Sequence, residues 1–223
     1  MSRTDPLAPL ALNLAAGATE IHLVRHAHAI PDEHLRGGSY DDYDAHPLSE
    51  HGRAQAGAVA EHFAGLELAA VYASPIRRAR ETAEAIAARA GHAVVEDHGL
   101  REVGIGALEG EMTMRERLDA LAVIAIRDGS WDAVPGTEAS AVVRARMTRA
   151  VDAIAARHRG GRVAVVSHAG AINAFLGEVA GTAHDFLFPL ANASVSVVRV
   201  NAERKLLMSA NETAHLRAAK VRA

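Results

Sequence analysis

Two short apolar runs, each followed by a histidine, constrain the fold of this chain more than any other feature. Residues 21–24 (Ile-His-Leu-Val) precede Arg25 and His26, and residues 163–166 (Val-Ala-Val-Val) precede Ser167 and His168. Runs of this length and type predict buried strands, and each is followed by a stretch that can begin a helix. Because open α/β sheets bind ligands at the carboxyl ends of their strands, we expect both imidazoles in one crevice.

A third apolar run adds basic side chains to the same edge. Residues 69–73 (Ala-Ala-Val-Tyr-Ala) are followed by Ser74 and Pro75, and Arg78 comes three residues later. Serine is a preferred helix cap and proline is tolerated in the first turn, so the sequence predicts a helix that Ser74 caps and Gly91 ends. This helix begins beside the two histidines.

The rest of the chain alternates between strand and helix patterns. Helical spacing follows Ser49 and recurs over 137–158 and 169–179, and strands are predicted at 94–95, 194–200 and 206–209. The pattern predicts an α/β fold: a three-layer sandwich, with a mostly parallel sheet of about six strands and helices on both faces. We expect an N-terminal tail over 1–19 and a single domain over 20–223, with a small insertion around 111–136 near the site.

Composition excludes several classes of protein. The 223 residues carry a net charge of −3, which gives no basic field for nucleic acid, and they include no cysteine, which excludes a thiol nucleophile. No stretch is long and apolar enough to predict a membrane span. The apolar stretch 7–18 is interrupted by Pro9 and Asn13, so we expect a cytoplasmic protein rather than an exported one.

Four blocks of sequence, taken in order, resemble one known family. These blocks are residues 25–27 (Arg-His-Ala), 74–83 (Ser-Pro-Ile-Arg-Arg-Ala-Arg-Glu-Thr-Ala), 100–102 (Leu-Arg-Glu) and 167–170 (Ser-His-Ala-Gly). The chain from Ile21 to about Val200 resembles the histidine phosphatase superfamily, which has the phosphoglycerate-mutase-like fold. A single arginine-histidine pair would mean little, but four blocks in the right order are specific.

The resemblance implies a role for each site residue. It implies that His26 is the nucleophile, that Arg25 and Arg78 bind phosphate, that His168 contacts the phosphoryl group, and that Glu102 is the general acid and base. The chemistry agrees, because phosphate ester hydrolysis needs a nucleophile, cationic donors and an acid for the departing oxygen. The helix after His168 is expected to aim free amides at the same charge.

Two of these positions have alternatives. Glu109 is the rival of Glu102 for the acid/base role. His22, His26 and His28 alternate along a strand and so face one side, which is a pattern that a metal site can use. Arg25 would lie beside that cation, and no cysteine or carboxylate has a suitable spacing, so we expect no metal and no cofactor.

Departures from the family bear on the reaction and the substrate. His28 and Ala29 stand where mutase members of the family typically carry glutamate and serine or threonine, which favours hydrolysis over phosphoryl transfer. We expect hydrolysis of a small phosphorylated metabolite. The alternatives are a cofactor-dependent phosphoglycerate mutase and a catalytically silent module that binds phosphorylated ligands. A homodimer is possible.

The residues expected around the site bear on how much negative charge the substrate can carry. Ile105 and Leu108 stand where many family members have aromatic residues, and the loop from Asp41 to Asp44 is acidic. If this loop lies over the site, its charge should discourage highly anionic substrates.

Overall fold

The computed structural model describes residues 17–29, 44–104 and 114–223. Six strands form one sheet: β1 (Thr19–Arg25), β2 (Ala70–Ala73), β3 (Val94–Glu96), β4 (Arg162–Ser167), β5 (Val195–Val200) and β6 (Lys205–Glu212). Six α-helices accompany them in the described residues: α1 (Glu50–Phe63), α2 (Arg77–Ala90), α3 (Met114–Asp128), α4 (Ser140–Arg157), α5 (Ala169–Ala180) and α6 (Ala214–Ala218). The alternation of strand and helix confirms the predicted α/β class.

The sheet has the strand order β3-β2-β4-β1-β5-β6. Strands β3, β2, β4 and β1 are mutually parallel, whereas β5 runs antiparallel to both β1 and β6. Five of the six strands therefore point the same way, as expected for a mostly parallel sheet. The two central strands, β4 and β1, are the two that His168 and His26 directly follow.

Each face of the sheet carries its own apolar core. On β4, Val163 and Val165 point to the face covered by α4 and α5, while Ala164 and Val166 point to the face covered by α1 and α2. This alternation is the period of two that a strand imposes on its side chains. Because every residue in this part of β4 is fully buried, its sequence reads as a continuous apolar run.

Helix ends follow the sequence signals at two of three predicted places. Ser49 caps α1 through a hydrogen bond from the amide of Gly52, and Gly91 ends α2 in the left-handed conformation with φ of 73°. The prediction that Ser74 caps α2 is wrong. That helix begins at Arg77 with Ile76 at its N-cap position, and the Ser74 hydroxyl contacts His168 instead.

The predicted insertion contains one helix and a small apolar cluster. Helix α3 is followed by a 3-10 turn over Trp131–Ala133, and the Trp131 ring packs against Phe186 with centroids 4.9 Å apart. Ile105, Leu108 and Glu109 lie outside the described residues. Within the ranges that the structure describes, no helix has the length and apolar character needed to cross a bilayer.

Candidate active site

Strand register brings the two motif histidines together. In the parallel pairing of β1 with β4, Arg25 lies opposite Ser167, and the His26 amide then donates to the Ser167 carbonyl at 2.9 Å. The next residue on each strand is a histidine, and the centroids of the His26 and His168 rings are 5.1 Å apart. The prediction that both imidazoles share one edge of the sheet agrees with this geometry.

Hydrogen bonds fix the ring of His26 in one neutral form. Its Nδ1 lies 2.8 Å from the carbonyl oxygen of Ala27, and the Nε of Arg78 lies 3.2 Å from its Nε2. A carbonyl can only accept and a guanidinium can only donate, so Nδ1 carries the proton and Nε2 presents a lone pair. A lone pair on Nε2 is what an attack on phosphorus requires.

Arg78 is the most deeply buried cation of the site. Its side chain is only 1% exposed, although it lies in the first turn of α2. Thr82, one turn later, donates its hydroxyl to the Arg78 carbonyl and accepts the amide of Ala27. This pair of bonds ties the first turns of α2 to the segment that carries His26.

Arg25 reaches the same region from the end of β1. Its guanidinium donates to the Leu190 carbonyl, and its charge acts on both His26 and His168. By contrast, Arg77 and Arg80 point away and form ion pairs with Glu81 and Glu84 along the surface of α2, as their helix positions predict.

The electrostatics of the site keep both rings neutral. The pKa of His26 lies well below its ordinary value. Burial is the largest cause, and the charge of the Arg78 guanidinium is the next. The same two causes, in the same order, lower the pKa of His168. At neutral pH both imidazoles are therefore uncharged.

Glu102 lies at the amino end of α5, next to His168. Its carboxylate accepts the amides of Gly170 at 3.2 Å and Ala171 at 2.9 Å. The expectation that these helix amides are free to face a phosphoryl group is therefore wrong, because Glu102 occupies them. A Cβ at Gly170 would lie 2.7 Å from the Glu102 carboxylate, so glycine is needed for this close approach.

A network that the sequence patterns did not reveal holds the segment around Glu102. Arg146 on α4 donates to the carbonyls of Gly99, Arg101 and Glu102, and it also pairs with Glu138 at 2.8 Å. The Glu138 carboxylate accepts the amide of Gly104 as well. Arg146 thus fixes the backbone that carries Glu102, although it lies 44 residues away in the chain.

Asp44 brings a negative charge to two arginines, Arg101 and the buried Arg78. One carboxylate oxygen lies 2.6 Å from Nη2 of Arg101, and the other lies 3.7 Å from Nη1 of Arg78. The end of the predicted acidic loop therefore reaches the site, while residues 41–43 lie outside the described part of the chain.

Comparisons with known proteins identify the family. The model of the histidine phosphatase superfamily, branch 1, matches residues 21–213. The chain belongs to the histidine phosphatase superfamily. It is an enzyme of the histidine phosphatase type, as predicted.

The relatives of this histidine phosphatase include proteins named as phosphatases and proteins named as mutases. It is 30% identical over 203 residues to the metal-independent phosphoserine phosphatase of Arabidopsis thaliana, covering 89% of this chain and 83% of the relative. It is 32% identical over 158 residues to phosphoglycerate mutase-like protein 4 of the same plant, covering 69% and 68% of the two chains.

Solved structures give the same fold. A mycobacterial glucosyl-3-phosphoglycerate phosphatase superposes with a TM-score of 0.72 at 25% identity, covering 88% of this chain and 100% of that one. Bacillus stearothermophilus YhfR superposes with a TM-score of 0.74, also at 25% identity, covering 89% and 100%. These similarities confirm the predicted architecture of the histidine phosphatase.

His22, on β1, and His28, beyond the end of that strand, have separate partners in the histidine phosphatase. His22 pairs with Glu20 at 3.0 Å and packs its ring edge-on against Phe63, whereas His28 lies 2.8 Å from the Ser49 hydroxyl. Among the residues that the structure describes, no three His, Cys, Asp or Glu side chains form a group suited to a metal ion.

Proposed function

We propose that this histidine phosphatase is a phosphomonoesterase that hydrolyses a small phosphorylated metabolite through a phosphohistidine on His26. The observation that carries the proposal is the neutral His26 ring, whose Nε2 lone pair lies beside Arg78 and whose Nδ1 proton is held by Ala27. A nucleophile with a fixed lone pair, next to a buried guanidinium, suits attack on a phosphoryl group.

The first step transfers the phosphoryl group to the enzyme. Nε2 of His26 attacks phosphorus in line, so that an N–P bond forms as the P–O bond to the substrate's alcohol breaks. Arg78 and Arg25 then donate to the non-bridging oxygens, and His168 contacts the same group. Glu102, in its protonated form, gives its proton to the departing oxygen.

The second step returns the enzyme to its starting state. The Glu102 carboxylate takes a proton from a water molecule as that water attacks phosphorus. The N–P bond then breaks and inorganic phosphate leaves. Glu102 acts in both halves because it is the carboxylate that α5 and the Arg146 network hold beside His168.

A phosphoglycerate mutase is the second candidate, because several relatives carry that name. A mutase must keep its phosphoryl group away from water until it is returned to the substrate. His28 stands where mutase members of the family typically carry glutamate. Its amide donates to Gln55 and its ring lies 2.8 Å from the Ser49 hydroxyl, so these contacts engage His28 in positioning the chain after β1.

One experiment separates these functions. The enzyme is incubated with a panel of phosphomonoesters that includes phosphoserine, glucosyl-3-phosphoglycerate and 3-phosphoglycerate, and released phosphate is measured. Phosphate release in the wild type and its loss in His26→Ala support the proposal, as does an acid-labile labelled adduct in rapid-quench experiments. Formation of 2-phosphoglycerate without phosphate release identifies a mutase.

The absence of turnover on the whole panel would instead favour a silent binding module. A cytoplasmic location and a homodimer remain predictions from the sequence, and sedimentation of the purified chain tests the latter.

A further inference from the structure

We propose that Ser74 is a positioning residue that sets the tautomer of His168, so that Nδ1 of that ring presents its proton to the phosphoryl group. The proposal rests on the proposed function, since it concerns the same site. It assigns to Ser74 a role other than the helix cap that its sequence context predicts.

The Ser74 hydroxyl has two hydrogen-bond partners in the described part of the chain, and the donor and acceptor of each bond can be assigned. Ser74 is fully buried, and its Oγ accepts the amide of Ile76 at 3.3 Å. The only other partner of this hydroxyl in the described part of the chain is Nε2 of His168, at 2.9 Å. Since a backbone amide can only donate, the hydroxyl proton has a single acceptor available, which is Nε2.

This direction decides where the proton of His168 lies. If Ser74 donates to Nε2, that nitrogen has no proton of its own, and the neutral ring carries its proton on Nδ1. The opposite arrangement would leave the hydroxyl proton buried without an acceptor, which is unfavourable. Burial and the Arg78 guanidinium lower the pKa of His168, so the ring is neutral and its tautomer determines what it can donate.

The second observation concerns Nδ1 of His168. The ring is fully buried, and Nδ1 has no hydrogen-bond partner among the residues that the structure describes. Its ring lies beside that of His26, at 5.1 Å between centroids. Because Ser74 engages Nε2, Nδ1 is the one ring nitrogen left to donate to an oxygen of a phosphoryl group on His26.

The proposal concerns a tautomer, so the decisive measurement is ring NMR. Two-bond proton–nitrogen correlation spectra distinguish protonated from unprotonated ring nitrogens, and the His168 signals are assigned by their loss in His168→Asn. We expect the wild type at pH 7.5 to show a protonated Nδ1 and an unprotonated Nε2. Protonated Nε2 in the wild type would overturn the proposal, even if Ser74→Ala fails to fold.

Kinetics supply the second test. In Ser74→Ala we expect kcat/KM to fall about tenfold, with Ser74→Thr, which keeps the hydroxyl, recovering most of the loss. The matched control is Ser196→Ala. Its buried hydroxyl also accepts one backbone amide, that of Asn211, and it should change kcat/KM less than twofold.

A double-mutant cycle shows whether Ser74 acts through His168. In a His168→Ala background, Ser74→Ala should weaken binding of inorganic phosphate less than twofold further, because the partner is already gone. Additive losses would contradict the proposal. The NMR result needs no turnover, so an enzyme with no phosphatase activity but a protonated Nδ1 would refute the proposed function and leave the positioning role intact.

Discussion

The Nε of Arg78 donates a hydrogen bond to Nε2 of His26 across 3.2 Å, and both side chains are buried. The guanidinium thereby acts in two ways on the nitrogen that we propose as the nucleophile. It keeps the lone pair directed toward the site, and it adds to the effect of burial in lowering the pKa of His26. In the proposed phosphohistidine, with the phosphoryl group on Nε2, the same guanidinium would bind the phosphoryl oxygens.

Replacing Arg78 should therefore affect catalysis far more than replacing its neighbour. We expect Arg78→Gln to lower kcat/KM by roughly 10²–10³-fold, because a buried cationic donor to the phosphoryl oxygens is lost. Arg77→Gln is the matched control. It removes an arginine from the same turn of α2, but one that pairs with Glu81 on the surface. A loss of less than threefold in Arg78→Gln would contradict the assignment.

The buried histidines predict how stability depends on pH. Burial, with Arg78 as the next cause, lowers the pKa values of His26 and His168 in the folded state below the ordinary value of 6.5. As pH falls below 6.5, the unfolded chain takes up protons that the folded chain refuses. Each group should then lower the free energy of unfolding by up to about 1.4 kcal/mol per pH unit, whereas above 6.5 its contribution is constant.

Urea unfolding between pH 5 and pH 7.5 measures this dependence. The wild type should lose stability toward pH 5. His26→Asn should show a shallower loss, because the variant lacks one histidine that takes up a proton in the unfolded chain but not in the folded chain. Ser196→Ala, a buried change without a titrating group, should keep the wild-type slope. A His26→Asn protein with the full wild-type slope would show that this histidine does not titrate as described.

Local signals in the sequence predicted the parts of this structure that depend on near neighbours. The apolar runs determined β1, β2 and β4, and Ser49 and Gly91 determined helix ends through contacts within one turn. The edge where His26 and His168 meet followed from the rule that parallel strands share their carboxyl ends.

Long-range partners were beyond such signals. The Arg146 network links α4 to a loop 44 residues earlier, and nothing in the helical periodicity of α4 distinguishes Arg146 from the exposed Arg149. For Ser74, a local signal led to a wrong prediction. Its position before Pro75 is typical of a helix cap, but a buried histidine 94 residues away engages its hydroxyl.

The proposed role of Glu102 as general acid predicts that the rate depends on the leaving group. Glu102→Gln removes the proton donor, so hydrolysis of an alkyl phosphate should fall by about 10²–10⁴-fold. p-Nitrophenyl phosphate needs little protonation of its departing oxygen and should lose much less. Glu61→Gln, an exposed change, should leave both rates unaltered. Equal losses on both substrates would assign the acid to another residue, with Glu109 the first alternative.

Arg146 should matter for both stability and turnover. Its guanidinium binds three loop carbonyls and Glu138, so Arg146→Ala should lower the free energy of unfolding by about 2–4 kcal/mol and reduce kcat as Glu102 loses its support. Arg146→Lys should recover only part of this, since an ammonium lacks the planar fork. Arg149→Ala, an exposed change on the same helix, should alter neither quantity; a similar loss there would show that the effect belongs to α4 as a whole.

Asp44 should set the enzyme's tolerance for extra negative charge. Its carboxylate lies 2.6 Å from Arg101 and 3.7 Å from Arg78, so it offsets part of the positive charge that a phosphorylated substrate meets. Asp44→Asn should raise kcat/KM for a bisphosphate relative to a monophosphate by roughly three- to tenfold at low ionic strength. Salt should shrink this gain, since the Debye length falls to about 8 Å at 0.15 M.

The ratio of the two substrates isolates the charge effect from any general loss of activity, because a distorted site would slow both substrates together. Asp152→Asn provides the control. It removes a carboxylate of the same charge, but Asp152 lies on α4 and pairs with Lys205 on β6. This pair is not at the strand ends that precede His26 and His168. If both variants shift the ratio equally, net charge alone explains it, and if neither does, Asp44 has no part in substrate choice.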